Sequence, residues 1–344
     1  MKKIIFLLVL LVVFSPSFGK GLDYVVYKKG NSYIAKQITS GKITAKDINA
    51  DVVIQQLLNN LQGLGGNIDL MSGKYPIKTQ LKIPSHVTIS GKGSSTVVLI
   101  EKTAKIESAF YSDSTNKVTI KELTISSENP IETHSGIIFN HVGDCLVKDV
   151  SISGMGGYGI WYRDRTFLSE IRGCKISGSG KSGIFLQGLK SKSRAGDFVP
   201  NLITNCIIYG GNYGIELEHS LVTNIISCEV YMTKSIGFYL HSNSNSTLIN
   251  GCRTFQIQND AVRVVDSHEL NVSSNIFCWH DGHGIVLDNV IWGNVNGNNF
   301  IDNGHINIVP KDGNVTSYMV LVPDSINVLD SLKCGIFATN ETKG

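Results

Sequence analysis

The chain has 344 residues, a formal net charge of +3 at pH 7, 42% hydrophobic and 17% charged residues, and seven cysteines. The charge is small and the basic residues do not cluster, which excludes the usual pattern of a nucleic-acid-binding protein. A chain of this length can hold two ordinary domains, but a repeat fold would make it one, so internal repeats have to be searched for first.

The N-terminus has the pattern of a signal peptide. Lys2 and Lys3 precede an unbroken apolar run from Ile4 to Phe14, and small residues follow where a signal peptidase would cut. The run is too short to span a bilayer comfortably, and no later stretch approaches the ~20 apolar residues of a membrane helix. We therefore expect residues 1–19 to be removed from a secreted protein, extracellular or periplasmic, without a membrane span; an uncleaved N-terminal anchor is the alternative.

The next segment is predicted to cap a repeat structure. Residues 20–46 have the pattern of a β-hairpin around the turn KGNS (29–32). Residues 47–62 are predicted to form a helix, which begins with capping residues, ends before glycines and would close the open end of a solenoid. Its apolar residues fall on one face: Val53, Ile54, Leu57, Leu58 and Leu61.

From residue 135 the sequence repeats. An apolar-x-apolar triplet is usually introduced by glycine, and the steps between those glycines, with Ala261 standing in once, are 23, 24, 31, 23, 24 and 23 residues. Short strands at about 23 residues per coil, separated by Gly, Asn and Ser, are typical of a parallel β-helix. The copies are SGIIF (135–139), YGIWY (158–162), SGIFL (182–186), YGIEL (213–217), IGFYL (236–240), DAVRV (260–264) and HGIVL (283–287).

A second strand follows each triplet and carries a column of equivalent residues. The spacing of the cysteines in this column favours free thiols stacked in the core over a disulfide framework, because a free cysteine packs as a small apolar residue. Disulfides between neighbouring cysteines of the column are the alternative. The column is predicted to contain Asp149, Cys174, Cys206, Cys228, Cys252, Asn275 and Asn298.

The segment IQQLLNNLQGLGGNIDLMSGKYPIKTQLKIPSHVTISGKG (54–93) resembles the entry segment of the pectate-lyase-like, right-handed β-helix superfamily. Both have a capping helix, a glycine pair, a strand, a Gly-x-Tyr turn, Ile-Pro-Ser and a Gly-x-Gly turn. The resemblance implies an all-β, single-domain, right-handed parallel β-helix over residues 47–304, followed by a closing segment and tail at 305–344. The superfamily includes lyases, hydrolases, transferases, epimerases and phage tail proteins, so the resemblance leaves the reaction open.

Two columns of side chains are predicted to face outward beside the triplets, because side chains alternate along a strand and the columns between them stay apolar. Aromatic, acidic and basic side chains on one face can stack on sugar rings and move protons, which predicts a glycan-binding strip. The alternative is a solvated sheet with pairs such as Glu216 with Arg263. The first column reads Ile138, Trp161, Phe185, Glu216, Tyr239, Arg263 and Val286; the second reads Asn140, Arg163, Gln187, Glu218, His241, Val265 and Asp288.

The one long step of the repeat inserts residues 189–201 between the Phe185 strand and the Glu216 strand. Long loops on rigid scaffolds commonly build one wall of a site, so Lys190, Lys192, Arg194 and Phe198 are expected beside the two glutamates.

The predicted chemistry centres on Glu216 and Glu218, whose Cα atoms should lie ~6.8 Å apart on one strand. In the favoured scheme one carboxyl protonates the glycosidic oxygen and the other activates water or attacks carbon, while His241, Tyr239 and Arg263 position the substrate. In a β-elimination scheme, Tyr239, His241 or Arg263 removes the proton next to a uronate carboxylate. A non-catalytic, surface glycan-binding protein is the third reading.

Two further motifs are similar to those of polygalacturonases. NDAVRV (259–264) and GHGIVL (282–287) resemble their Asp-Asp and Gly-His-Gly motifs, but the second aspartate and the other family motifs are missing. This makes Asp260 and His283 second-choice binding residues, beside the substrate-binding candidates Trp161, Arg163, Phe185, Gln187 and Lys190. The sequence contains no Asp-x-Asp cluster that would indicate a calcium site, so neither a metal nor another cofactor is predicted. The predicted partner is a polysaccharide or oligosaccharide, and the superfamily leaves monomers and homotrimers open.

Overall fold

The computed structural model describes residues 21–189, 200–301 and 303–304, and the backbone of 318–319. The predicted signal peptide at 1–19, Lys190, Lys192, Arg194 and Phe198 of the inserted loop, and nearly all of the predicted closing segment and tail lie outside the described residues.

The chain enters through three short antiparallel strands. Leu22–Lys29 pairs with Ser32–Gln37, and Ser32–Gln37 pairs with Ile43–Asp47. Leu22–Lys29 also runs parallel to Gly66–Leu70, which is the first strand of the solenoid. This pairing covers the strand edge that the first coil would otherwise expose.

An α-helix, Ala50–Leu61, follows the antiparallel strands. Its predicted apolar face is fully buried over the first coils. Asp51, which is 4% exposed, fixes the helix to the turn after Gly73–Ile77: its Oδ2 accepts hydrogen bonds from the backbone N–H groups of Lys78 and Thr79 at 3.0 and 2.9 Å. Within the described residues, no helix is long and apolar enough to cross a membrane.

The rest of the described chain winds through three parallel sheets, called A, B and C. Neighbouring coils pair in register throughout. Sheet A contains the strands of the glycine-led triplets and two strands before them: Leu81–Lys82, Ser108–Asp113, Ser135–Asn140, Ile160–Arg163, Ser182–Gln187, Tyr213–Glu218, Ile236–His241, and the first halves of Val262–Ser273 and Ile285–Asn296.

Sheets B and C complete each coil. Sheet B contains Gly66–Leu70, Val87–Ser90, Thr119–Lys121, Leu146–Lys148, Glu170–Arg172, Asn201–Thr204, Thr223–Ile226, Leu248–Asn250, the second halves of the two long strands, and Tyr318–Met319. Sheet C contains Gly73–Ile77, Thr96–Ile100, Thr124–Ser127, Ser151–Ser153, Lys175–Ser177, Ile207–Tyr209, Glu229–Tyr231, Arg253–Phe255, Ile276–Cys278 and Asn299–Ile301, and a 3₁₀ turn, Gly93–Ser95, precedes its second strand. The predicted parallel β-helix is confirmed.

The glycine that introduces most of the sheet A strands faces the core. A Cβ at Gly136 would lie 2.9 Å from Ile152 Cγ2 and 2.6 Å from the carbonyl oxygen of Gly159. Because the next residue, Ile137, also points inward, the residue before the glycine is left on the outer side of the sheet. The glycine therefore shifts the side-chain alternation at the start of the sheet A strands that it introduces.

The predicted cysteines form an internal ladder. Cys174, Cys206, Cys228 and Cys252 are buried and free, and the hydrogen bond with Cys206, together with burial, raises the pKa of the Cys174 thiol. Asn275 continues the ladder, because its Oδ1 accepts the backbone N–H of Cys252 at 2.8 Å.

The predicted start of the ladder is wrong by one residue. The backbone N–H of Lys175 bonds to the carbonyl of Val150, which places Val150, not Asp149, beside Cys174. Asp149 has φ 53° and occupies the left-handed turn position that Gly173 takes in the next coil. A short polar residue at a turn resembled the asparagines of the ladder, since both positions favour such residues.

Candidate functional site

The two outward columns lie on sheet A in the expected register. Trp161, Phe185, Glu216, Tyr239 and Arg263 are consecutive partners from coil to coil. In the second column Glu218 is the partner of Gln187 on one side and of His241 on the other. With parallel strands ~4.8 Å apart, the first column forms a strip ~20 Å long.

Glu216 occupies the centre of this strip and is held from both sides. Its carboxylate accepts a hydrogen bond from the Ser182 hydroxyl, one coil earlier, and one from His241 Nε2, one coil later, at 3.3 Å. A carboxylate only accepts, so His241 carries a proton on Nε2, and its Nδ1 lies 3.0 Å from Ser242 Oγ. Only 13% of the Glu216 side chain is exposed although it points outward. Three successive coils thus fix one carboxylate.

Glu218 has a separate partner. Gln187 Nε2 donates a hydrogen bond of 2.6 Å to Glu218 Oε2. The pair expected for a merely solvated sheet, Glu216 with Arg263, does not form. Glu216 instead hydrogen-bonds His241, and Arg263 hydrogen-bonds Asp260. The two glutamates therefore stand side by side without sharing a partner.

Aromatic rings form one wall of the strip. Tyr158 packs against Trp161 and Phe185 with ring centroids 4.8 and 5.0 Å apart, and Lys181 Nζ lies 5.3 Å from the Tyr158 ring centroid. Phe185 is 4% exposed because these rings flank it, so the expectation that its face would stack on a sugar is wrong. Trp161 and Tyr158 keep the exposed aromatic surface.

The other side of Glu216 is bounded by a second aromatic group. Tyr239 stacks on His241 with centroids 4.4 Å apart, and Tyr213 lies 5.2 Å from Tyr239. Burial raises the pKa of Tyr239, and the neighbouring Tyr213 and Glu216 raise it further. Tyr239 therefore stays protonated and can donate a hydrogen bond to a ligand at neutral pH.

Tyr158 is held neutral in the same way. Burial raises its pKa to about 12, with contributions from the negative charges of Glu216 and Glu218. Its hydroxyl is accordingly a hydrogen-bond donor close to both carboxylates.

Arg263 is turned away from the glutamates by an internal acid. Its Nε donates to Asp260 Oδ2 at 2.8 Å, and the backbone N–H of His283 and its Nδ1 each lie 2.9 Å from Asp260 Oδ1. Asp260 is 0% exposed, so its prediction as a residue that contacts substrate is wrong. It positions Arg263, whose side chain remains 36% exposed, and His283, whose side chain is 25% exposed.

Arg163 lies at the N-terminal end of the strip. Its Nη1 forms an ion pair with Glu107 at 3.0 Å, its Nε donates to Asn140 Oδ1 at 3.2 Å, and its guanidinium carbon lies 5.0 Å from the Trp161 ring centroid. The arginine supports the indole ring and has its charge balanced by Glu107.

The residue before the core-facing glycine makes a third column that the sequence analysis did not identify. Tyr158, Ser182 and Tyr213 occupy it, and they pack on Phe185, bond Glu216 and pack on Tyr239, respectively. Strict alternation would turn these residues inward. The repeated glycine itself was the available signal, because a residue without Cβ at successive coil starts marks a break in alternation.

Among the described residues, no group of three or more His, Cys, Asp or Glu side chains is placed to hold a metal ion.

The chain matches the family model described as "Right handed beta helix region" over residues 85–193, 135–300 and 169–342, and it belongs to this family. The predicted right-handed parallel β-helix is thereby confirmed. A comparison with curated protein sequences finds no match.

Solved structures share this fold at low sequence identity. The A-module of Azotobacter vinelandii mannuronan C-5 epimerase AlgE4 is 13% identical with a TM-score of 0.52, over 78% of this chain and 96% of that one. An alginate lyase from Paenibacillus sp. str. FPU-7 is 16% identical with a TM-score of 0.55, over 74% and 95%. The enzymatically active domain of bacteriophage CBA120 tailspike protein 2 is 11% identical with a TM-score of 0.60, over 79% and 46%.

Proposed function

We propose that the protein is an exported, carbohydrate-active enzyme that cleaves the glycosidic bonds of a polysaccharide on sheet A around Glu216. The observation that carries the proposal is the fixation of Glu216 by Ser182 and His241 inside an outward-facing aromatic strip. A glutamate that only solvates a sheet needs exposure and no such partners. Export rests on the signal-peptide pattern of residues 1–19.

Hydrolysis is the reaction that this arrangement favours. Ser182 and His241 donate to Glu216, which suits it to activate water or to attack the anomeric carbon. Glu218 then serves as the acid that protonates the glycosidic oxygen. Tyr158 and Tyr239 remain neutral donors that can orient sugar hydroxyl groups beside the two carboxylates.

The charges of the strip favour an uncharged sugar at the cleavage point. Glu216 and Glu218 would repel a uronate carboxylate, and the two arginines of the columns are already paired, Arg163 with Glu107 and Arg263 with Asp260. A neutral sugar avoids this repulsion and can stack on the exposed aromatic surface.

β-Elimination on a uronate glycan is the second candidate. The observation that favours it is the stacking of Tyr239 on His241 beside Arg263, a group able to remove a proton and to hold a carboxylate. Two proteins of similar fold are named as an alginate lyase and a mannuronan epimerase, which supports a glycan as the substrate class. A non-catalytic glycan-binding protein would use the same strip without turnover.

The deciding experiment incubates the purified chain with neutral and uronic-acid polysaccharides and follows new reducing ends together with the ultraviolet absorbance of unsaturated sugars. We expect reducing ends without absorbance. Glu216→Gln should lower the rate about 10²- to 10⁴-fold, as the loss of a positioned acid or base does. Glu170→Gln, a change on sheet B, is the matched control and should leave the rate unchanged.

The other outcomes separate the alternatives. New absorbance that survives Glu216→Gln and Glu218→Gln but not Tyr239→Phe would establish elimination. Binding to polysaccharides without turnover of any of them would support the non-catalytic glycan-binding protein.

A further inference from the structure

Sheet C carries its own column of aromatic side chains, away from Glu216. Tyr209, Tyr231 and Phe255 are consecutive partners in three neighbouring coils, and Trp279 follows the strand of the next coil. Tyr209 is 52% exposed and Trp279 is 48% exposed. The column extends over ~14 Å, given the ~4.8 Å spacing of parallel strands.

The aromatic residues are confined to one half of the sheet. In the preceding coils the same column contains Ser126, Ser153 and Ser177, and Ser177 is the direct partner of Tyr209. The fold therefore requires no aromatic side chain at this position. Coil packing does not explain the change from serine to aromatic residues, and exposed aromatic side chains that packing does not require mark a binding surface.

The rings are held in place by one another. Phe255 meets Trp279 edge to face with centroids 4.6 Å apart, and Tyr231 lies 6.1 Å from Phe255. The Tyr231 hydroxyl donates to the Glu229 carboxylate, and the Tyr209 hydroxyl lies 3.0 Å from Met232 Sδ. A preordered aromatic surface loses little entropy when a ligand stacks on it.

The column ends at a cavity of about 560 Å³ at the corner between sheets C and A. This volume is within the range of small-molecule sites, and its walls combine aromatic and hydrogen-bonding groups. The lining residues are Gln256, Ile257, Trp279, His280, Asp281 and Gly304.

The polarity of the cavity selects against acidic sugars. His280 is 2% exposed, and it uses both ring nitrogens internally: Nδ1 accepts from the Ile257 N–H at 3.1 Å, and Nε2 lies 2.8 Å from Thr254 Oγ1. Burial lowers the pKa of His280 to about 4, so this wall is neutral. The charge among the described lining residues is therefore the negative one of Asp281.

We propose that Tyr209, Tyr231, Phe255 and Trp279, together with the adjoining cavity, form a second glycan-binding surface for an uncharged polysaccharide. The choice of a polysaccharide rests on the proposed function, whereas the location on sheet C rests on the residues above. Such a surface would bind one part of a long polysaccharide on sheet C while another part of the same polysaccharide reaches Glu216.

The three tryptophans of the chain allow the two surfaces to be observed separately. Trp161 lies on sheet A, Trp279 directly follows a sheet C strand, and Trp292 lies within Ile285–Asn296, between its sheet A and sheet B halves. Trp292 is a matched control: it is 62% exposed and has the same φ of 57° as Trp279. The protein is labelled with fluorotryptophan, its three ¹⁹F signals are assigned by single Trp→Phe changes, and it is titrated with hexasaccharides of glucose, xylose and mannose and with a hexauronate.

The expected result is a saturable shift of the Trp279 signal with at least one neutral hexasaccharide, no shift with the hexauronate, and no shift of Trp292. The Phe255→Ala change should weaken the Trp279 titration about tenfold, and Glu216→Gln should leave it unchanged.

Three results would overturn the proposal: a Trp279 signal that no neutral hexasaccharide moves, equal shifts of Trp279 and Trp292, or a Trp279 shift that depends on protein concentration without sugar. The last would identify a second copy of the chain as the partner, and sedimentation of the same sample would show whether the assembly is a homotrimer, which the sequence leaves open. Failure of the proposed function would appear instead as an unmoved Trp161 signal and absent turnover.

Discussion

Ser182 is a buried residue that holds the carboxylate proposed to be catalytic. It is 0% exposed, and its hydroxyl donates to the Glu216 carboxylate. We predict that Ser182→Ala lowers kcat about 10- to 100-fold while KM stays within about twofold, because a hydrogen bond to a charged group is lost without a change in sugar contacts. Steady-state kinetics on the polysaccharide that the chain turns over measures this.

The matched control is Ser135→Ala, a buried serine of the same column two coils earlier, which accepts a hydrogen bond from the Tyr158 backbone N–H at 3.2 Å. An equal loss of kcat in both variants would mean that the hydroxyl supports the coil and does not position Glu216.

His280 makes the stability of the solenoid depend on pH. Its pKa falls from 6.5 to about 4 on folding, chiefly because it is buried, and the charge of Asp260 offsets part of this effect. The unfolded chain therefore binds more protons between these values, and stability is lost as the pH falls from about 6.5 to about 4. The full loss amounts to about 3 kcal/mol, at 1.36 kcal/mol per pKa unit.

Urea unfolding at pH 4 to 7 tests this prediction. The control is His280→Asn, which copies Asn303 at the equivalent place of the next coil, where the amide accepts the His280 backbone N–H and donates to the carbonyl of Phe277. This variant should lose most of the slope between pH 6.5 and 4. An unchanged slope would assign the pH dependence to other groups.

At the scale of one strand, the core-facing glycine decides which side chains reach the site. Gly136→Ala would force a Cβ against the carbonyl of Gly159 at 2.6 Å, and neither partner can move without shifting the sheet. We predict a destabilisation of about 1–3 kcal/mol, measured by urea unfolding, as for other overpacked positions. Ala261→Gly is the reverse change at one of the two described coils that already accommodate a Cβ, the other being that of Ala109, and it should cost about 1 kcal/mol or less.

The same strand shows what sequence could predict and what it could not. The period and the two outer columns follow from alternation, so Trp161, Glu216 and Tyr239 were placed in their register. The column of Tyr158 and Ser182 was missed, because the glycine shifts the alternation through backbone contacts that appear only when coils stack.

The sequence also could not predict which acidic residue pairs with Arg263. Arg263 follows Asp260 by three residues and lies two coils from Glu216 in the same column, and the buried aspartate holds it because an unpaired charge at that position would be costly. Such competition depends on burial in three dimensions. The pattern of residue types along the chain does not contain it.

For the molecule as a whole, the solenoid separates folding from function. Each coil contacts mainly its two neighbours, so stability is close to a sum of coil and interface terms. The site, in contrast, needs three particular coils in order, which supply Ser182, Glu216 and His241. Removal of one complete coil should therefore leave a folded β-helix whatever its position, but should affect activity according to which coil is lost.

Two deletions of equal size test this separation, because Glu218 and His241 are register partners, as are Val265 and Asp288. Deleting 219–241 joins equivalent points and brings Arg263 beside Glu216 in place of Tyr239. We predict a folded, inactive protein, since Glu216 loses His241. Deleting 266–288 removes Trp279 and the sheet C cavity, and should preserve turnover of short oligosaccharides while the hold on long chains weakens.

Circular dichroism and urea unfolding would show whether both deletion variants fold. Reducing-end release from short and long substrates would measure their activity. Equal activity in the two variants would contradict a site centred on Glu216. Equal loss of folding would contradict coil-by-coil stability, and would indicate that the closing contacts at the ends of the solenoid act on the whole stack. The two deletions remove the same number of residues and join register partners in both cases. A difference in activity between them would therefore come from the side chains that each deletion removes.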